Sequence, residues 1–297
     1  MIEYDARAWV RMSLSLRGSV LPRLLPRVVL AALLGVAAVL LLRGYGFHLP
    51  STAHTMLGVA LGLLLVFRTN TAYDRFWEGR RLLGAYTNRA RDLARQVASY
   101  IDNTPGTDGD EQGNEILRLV GLSYAMLCQT LRSERDLTPI GTALRDDERA
   151  ALVDCAGRSM RMHTWLGQAF ARAVRTGVLP EARLLLVDPN LTALADAWGG
   201  AERIARTPIP FAYAQHIKTF LLIFTLSAPF AMVDAMGPLT PVASAILAFA
   251  LFGIEEIGVE IEDPFGYDPN DLPLDRIGET IVRDLGVARE TGRSASV

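Results

Sequence analysis

Residues 51–67 carry no Asp, Glu, Lys or Arg, and the chain then enters the polar phrase FRTNTAYDRFWEGR at 67–80 with no Gly or Pro between Phe67 and Gly79. A membrane anchor ordinarily ends in a few basic residues and a loop. Here the helical pattern continues across the change of polarity. It predicts one element that starts in an apolar medium and extends into water, as a helix lining a route between the two would.

The composition agrees. At 50% hydrophobic and mean hydropathy +0.22 the chain is too apolar for an ordinary soluble protein, and at 21% charged too polar for a purely intramembrane one. A net charge of −2 lacks the basic excess expected of a nucleic-acid binder. Lysine occurs once, at Lys218, so arginine supplies nearly all the positive charge. Cys128 and Cys155 are far apart and show neither a disulfide framework nor zinc-ligand spacing, which reads as buried thiols in a reducing compartment. The start of the chain has no apolar core of the secretory-signal kind.

Four apolar spans are expected. Residues 28–42 form an uncharged run between Arg27 and Arg43, and 51–67 return after a short loop. Residues 219–233 form a third run and 235–254 a fourth, joined across Asp234, Gly237 and two prolines. Several are short against the roughly 20 residues that a bilayer core requires, but they pair into two hairpins of similar length. A very apolar soluble bundle is the competing reading of the same runs. Arg7, Arg11, Arg17, Arg23 and Arg27 precede the first span, and Arg68, Arg75, Arg80 and Arg81 follow the second, whereas the hairpin loops hold only Arg43, His48 and Asp234. The positive-inside rule then predicts a multi-pass protein of the cell membrane with both termini and the middle in the cytoplasm. The expected organisation is an N-terminal segment and first hairpin (1–67), a helical cytosolic region (68–218), a second hairpin (219–254), and a cytosolic C-terminal segment (255–297) with an acidic turn and a flexible tail.

Helical periodicity in the middle region predicts helices over 80–100, 114–130, 145–176 and 188–205. The first has Leu82, Leu83, Tyr86, Ala90, Leu93 and Val97 on one face. An exposed loop is expected at 103–113, a helix cap at Asn114, a stop at Gly177, a break near Gly199 and Gly200, and a frayed tail after Arg289. No stretch of useful length has strand periodicity.

Catalytic motifs are missing: there is no GxSxG, HExxH or phosphate-binding loop, and His48, His54, His163 and His216 have no ligand spacing. The chain does not read as an enzyme. Val59, Leu63 and Phe67 share one helical face immediately before the polar continuation. They read either as lipid-facing or packed positions or, if several copies surround an axis, as an apolar constriction that gates by dewetting. Gly58, Ala60 and Gly62 would let a neighbouring helix approach closely. Glu260, Asp263, Asp268 and Asp271 lie in GVEIEDPFGYDPNDLPLD, where Pro264, Gly266 and Pro269 bend the chain. They read either as a solvated acidic turn or as oxygen ligands for a hard cation, with calcium favoured over zinc.

Three phrases together resemble the bestrophin family of ion channels, and with the four spans the likeness covers nearly the whole chain. FRTNTAYDRFWEGR (67–80) is similar to the phrase that closes the pore-lining helix in prokaryotic bestrophins. RTPIPFAYAQHIK (206–218) resembles the entry to their third span, and EDPFGYDPNDL (262–272) the segment after their fourth. The resemblance implies an all-α fold with four transmembrane helices and a helical cytosolic domain, assembled as a homopentamer around one central pore. It implies an apolar neck at Val59, Leu63 and Phe67, where relatives carry Ile or Phe, and a cytosolic aperture near Val178 or Leu179. In animal members the acidic segment forms a calcium clasp, which would map onto Glu260, Asp263, Asp268 and Asp271. No cofactor is required by this reading; calcium is the one candidate. The expected partners are further copies of the chain, membrane lipids and permeant ions, with no nucleic acid. Two functions follow: passive conduction of small ions, either chloride and other anions or monovalent cations, and a non-conducting membrane-anchored scaffold whose cytosolic helices bind a partner.

Overall fold

The computed structural model describes residues 5, 7–13, 15–16, 18–101, 105–134 and 136–295. Arg17 of the basic N-terminal run, residues 103 and 104 of the expected loop, and the last two residues of the tail lie outside them. Ten α-helices and no strand occur among the described residues: α1 (Trp9–Ser13), α2 (Leu21–Tyr45), α3 (Ser51–Tyr100), α4 (Asp108–Leu131), α5 (Asp146–Val153), α6 (Arg158–Arg175), α7 (Glu181–Arg206), α8 (Phe211–Met236), α9 (Thr240–Glu262) and α10 (Leu274–Ala295). The chain divides into two compact units, Met1–Trp77 with Pro208–Asp271, and Glu78–Thr207 with Leu272–Val297.

The first unit is built from α2, the beginning of α3, α8 and α9. Three stretches, Leu21–Tyr45, Ser51–Tyr100 and Phe211–Glu262, are long and apolar enough to cross a membrane. The third is interrupted by a 3₁₀ turn, Gly237–Leu239, with Gly237 at φ 49°, so α8 and α9 are separate helices. Each helix overruns the charge-free run that marked it in the sequence. Helix α2 takes in Arg23, Arg27 and Arg43, because helix ends carry charge without loss of backbone hydrogen bonds. Leu24, Leu61, Leu65, Ile217, Leu221, Phe224, Ala248 and Phe252 form the core. Small residues govern the packing of α2: Ala31, Gly35 and Ala38 are buried on one face, and a Cβ on Gly35 would stand 2.6 Å from the Cα of Pro241. Within the single chain, the close approach expected at Gly58, Ala60 and Gly62 is made at Gly58. A Cβ on Gly58 would meet the Phe224 ring at 3.1 Å, whereas Gly62 has nothing within 4 Å and Ala60 is exposed.

The second unit packs the rest of α3 with α4, α6, α7 and α10. Tyr86, Phe170 and Trp198 are fully buried in it. The Tyr86 and Ser123 hydroxyls lie 2.6 Å apart, and Tyr124 donates to the Leu274 carbonyl at 2.9 Å. These bonds satisfy polar tips that burial would otherwise strand. Several local expectations are corrected. Helix α4 starts at Asp108, capped by the Thr107 hydroxyl, which accepts from the Asp110 N–H. Much of the expected 103–113 loop is therefore helix, since Asp108, Asp110 and Glu111 suit a helix N-terminus. The helix expected over 145–176 is two, α5 and α6, broken across 154–157. Gly199 and Gly200 do not break α7; a Cβ on Gly200 would stand 2.7 Å from Leu82 Cδ2, so the glycine gives its neighbour room. The tail expected to fray after Arg289 is helical to Ala295. Arg293 fastens it to Asp110 by two bonds of 2.7 and 2.6 Å, and this guanidinium holds the Asp110 carboxyl below the usual carboxylate range.

Candidate conduction site

The buried positions of α3 in the first unit are Leu61, Leu65, Arg68 and Ala72, all 2% exposed or less. Their spacing of four, three and four residues is a single stripe of a 3.6-residue helix. Val59, Leu63 and Phe67 are 72, 56 and 55% exposed. At about 100° per residue they fall roughly half a turn round the axis from the buried stripe. The packing that sets the rotation of α3 thus leaves these three apolar side chains uncovered on the opposite face. Asn70, Asp74 and Trp77 continue that face and are likewise exposed.

Arg68 and Arg75 point elsewhere. Arg68 Nη2 donates to Glu262 Oε2 at 3.0 Å, and its Nε lies 4.0 Å from Glu255 Oε1. Glu255 also receives Lys218 Nζ at 3.5 Å, and Glu262 Oε1 accepts from the Ile209 N–H at 3.2 Å. Arg75 Nε donates to the Glu262 carbonyl at 3.1 Å. Arg68, Glu255, Glu262 and Lys218 therefore form one ionic cluster behind the apolar face, three of its members largely buried. Reading the sequence did not single it out. The signal was present: acidic residues within the otherwise apolar run of α9 need cationic partners, and Arg68 and Lys218 stand at matching depth in α3 and α8.

The two aperture candidates differ in exposure. Gly177, at φ 78°, ends the segment after α6. Val178 is half-buried, while Leu179 is 1% exposed and its N–H donates to the Ala173 carbonyl at 2.9 Å.

The acidic turn brings Asp263, Asp268 and Glu260 near enough to Asp271 for their charges to act on it. Among the described residues no group of three or more His, Cys, Asp or Glu is placed to hold a metal ion. A tethered cation stands among them instead: Arg23 Nη2 donates to Asp268 Oδ1 at 3.0 Å, and its Nη1 lies 3.7 Å from Glu260 and 3.8 Å from Glu256. Asn270 Nδ2 donates to Glu260 Oε1 at 2.6 Å, Asp271 Oδ2 accepts the Asp268 N–H at 2.7 Å, and Asp263 Oδ1 accepts the Phe265 N–H at 3.4 Å. Burial pushes the Asp271 carboxyl up to about 6, and Asp268, Asp263 and Glu260 add to the effect. In this arrangement the Arg23 guanidinium, Asn270 and backbone N–H groups serve the carboxylates at which a hard cation was expected, Glu260, Asp263, Asp268 and Asp271.

Residues 1–287 match the family model of the Bacterial/Fungal Bestrophin protein. A voltage-dependent anion channel-forming protein of Nostoc sp. is 38% identical over 286 residues, covering 93% of this chain and 90% of the relative. Its counterpart in Escherichia coli K12 is 29% identical over 288 residues, covering 96% and 93%. The crystal structure of a bacterial bestrophin homologue from Klebsiella pneumoniae superimposes with a TM-score of 0.81 at 28% identity, covering 90% of this chain and 98% of that one. With a family match over nearly its whole length and a helical fold shared with a solved homologue, the chain is a membrane protein that belongs to the bacterial bestrophins.

Proposed function

We propose that the chain forms a passive anion channel, a homopentamer about one central path whose apolar neck is lined by Val59, Leu63 and Phe67. The carrying observation is the phase of α3. Three consecutive turns present large apolar side chains on the face opposite its buried stripe, immediately before Asn70 and Asp74. Closing a heterologous contact into a ring gives such faces a shared axis. Helices α2, α8, α9 and the first part of α3 serve as four crossings of the cell membrane, with both chain ends in the cytoplasm, as the arginine distribution favours. Permeation of anions is supported by relatives that are named anion channel-forming proteins. Nothing in the sequence motifs supports catalysis, so conduction rather than an enzymatic reaction is assigned. Val178 is the stronger candidate for a cytosolic aperture, since its side chain retains exposure that Leu179 lacks. Calcium is given no part in the mechanism.

The neck would act through desolvation: an ion passing three apolar rings sheds water and finds no replacement ligand. Leu63→Ala and Phe67→Ala should therefore raise single-channel conductance, and Val59→Ser should raise it more weakly. Lowering the rate-limiting barrier by about 1.4 kcal/mol corresponds to a tenfold faster passage. Recordings in planar bilayers, with size-exclusion chromatography to confirm the ring, test the assignment. Unchanged current through intact rings of Phe67→Ala would remove Phe67 from the path. An oligomer that leaks no ion from liposomes would replace the channel by the scaffold.

A further inference from the structure

We infer that Asp74 sets the charge preference of the path at the cytosolic mouth of the neck. The inference rests on the neck assignment above and deepens it. The phrase at 67–80 holds charges of both signs, and the structure sorts them. Arg68 is 2% exposed and bound to Glu262, and half-buried Arg75 donates to the Glu262 carbonyl. Asp74 is exposed, lies at the same helical phase as Val59, Leu63 and Phe67, and pairs with none of the described residues.

Seven residues separate it from Phe67, about 10 Å along the helix axis. That is close to one Debye length in physiological salt. The next charged side chains near this phase, Glu78 and Arg81, come further along α3 in the second unit, and Glu78 accepts from Arg203 Nη2 at 3.0 Å. Directly below the neck the fixed charge of this face is therefore negative. In a ring of five copies, five carboxylates would surround the path, concentrating cations and repelling anions at the point where an ion enters or leaves the dry segment. Arg68, which would favour anions, is turned away and paired with Glu255 and Glu262 of α9, and Arg75 is held at the Glu262 carbonyl. Asp74 thus works against anion entry and holds selectivity below what the remaining walls would give.

The test is the reversal potential of reconstituted channels under a KCl gradient. Asp74→Asn, of nearly the same shape on an exposed position, should raise the chloride-to-potassium permeability ratio about fourfold at 0.1 M salt. The gain should shrink as salt is raised, and Asp74→Glu should retain the wild-type ratio. An unchanged reversal potential in conducting Asp74→Asn rings, or an equal shift with Asp74→Glu, overturns the inference. Unchanged conductance in Phe67→Ala overturns the neck assignment, and this inference with it; a shifted reversal potential alongside an altered Phe67→Ala conductance supports both.

Discussion

Replacing Arg68 by Ala should be among the most damaging single changes in the first unit. The side chain is 2% exposed, and its two acidic neighbours, Glu255 and Glu262, are 5 and 19% exposed. Removing one member of a buried ion pair typically costs about 3–5 kcal/mol, because the partner is left charged and poorly solvated. Two contacts reduce that figure here. Glu262 keeps the Ile209 N–H, and Glu255 keeps Lys218, whose side chain is 55% exposed and can follow the carboxylate towards water. The expected loss is therefore about 2–4 kcal/mol. Lysine should recover only part of it, since an ammonium cannot reproduce a planar guanidinium that reaches both carboxylates. Arg68→Met combined with Glu262→Gln removes charge from both sides and should cost less than Arg68→Ala alone. Equilibrium denaturation of the purified protein in mixed micelles measures each difference, with chromatography to show that the oligomer is intact beforehand. A loss below about 1 kcal/mol for Arg68→Ala would mean that the cluster is solvated, and the argument from burial would fail.

Gly35→Ala places a methyl 2.6 Å from the Cα of Pro241, which backbone alone can relieve, so it should lower stability by about 1–3 kcal/mol in the same assay; a neutral result would show that α2 and α9 separate freely. Calcium should produce no rise in melting temperature, because Arg23 already stands among Asp268, Glu260 and Glu256; a rise that Asp268→Ala and Asp271→Ala abolish would restore a calcium site. Asp271 binds its proton more tightly in the fold, at about 6 against 3.8, so its contribution to stability is full below about 4 and is lost as pH rises through 6. Asp271→Asn should flatten that part of the stability profile, and an unchanged slope between pH 4 and 7 would contradict the burial of this carboxyl.

Much of the architecture was legible because hydrophobic runs and helix periods are local properties. The continuation of α3 beyond Phe67 was visible in the lack of Gly and Pro before Gly79, and the face holding Val59, Leu63 and Phe67 in simple helical spacing. What escaped depends on contacts distant in sequence. Nothing local tells whether Arg68 or Asp74 faces the open side; that is decided by Glu255 and Glu262, nearly 200 residues away, which draw the arginine inward. The surroundings of the acidic turn were hidden for a similar reason, since Arg23, whose guanidinium bonds Asp268, lies 245 residues before it. Helix α10 was missed because composition after Pro273 is polar, and its apolar stripe, including Leu274, Ile281 and Leu285, has meaning only against α4.

Lys218, one limb of the ionic cluster behind the exposed apolar face of α3, is also the sole lysine of the chain. Apart from the terminal α-amine, each subunit therefore offers amine-reactive reagents a single nucleophile. With the α-amine blocked, limited acylation of a ring of the proposed kind would yield a mass ladder with one rung per copy, so the chemistry that probes Glu255's neighbour would also count the copies.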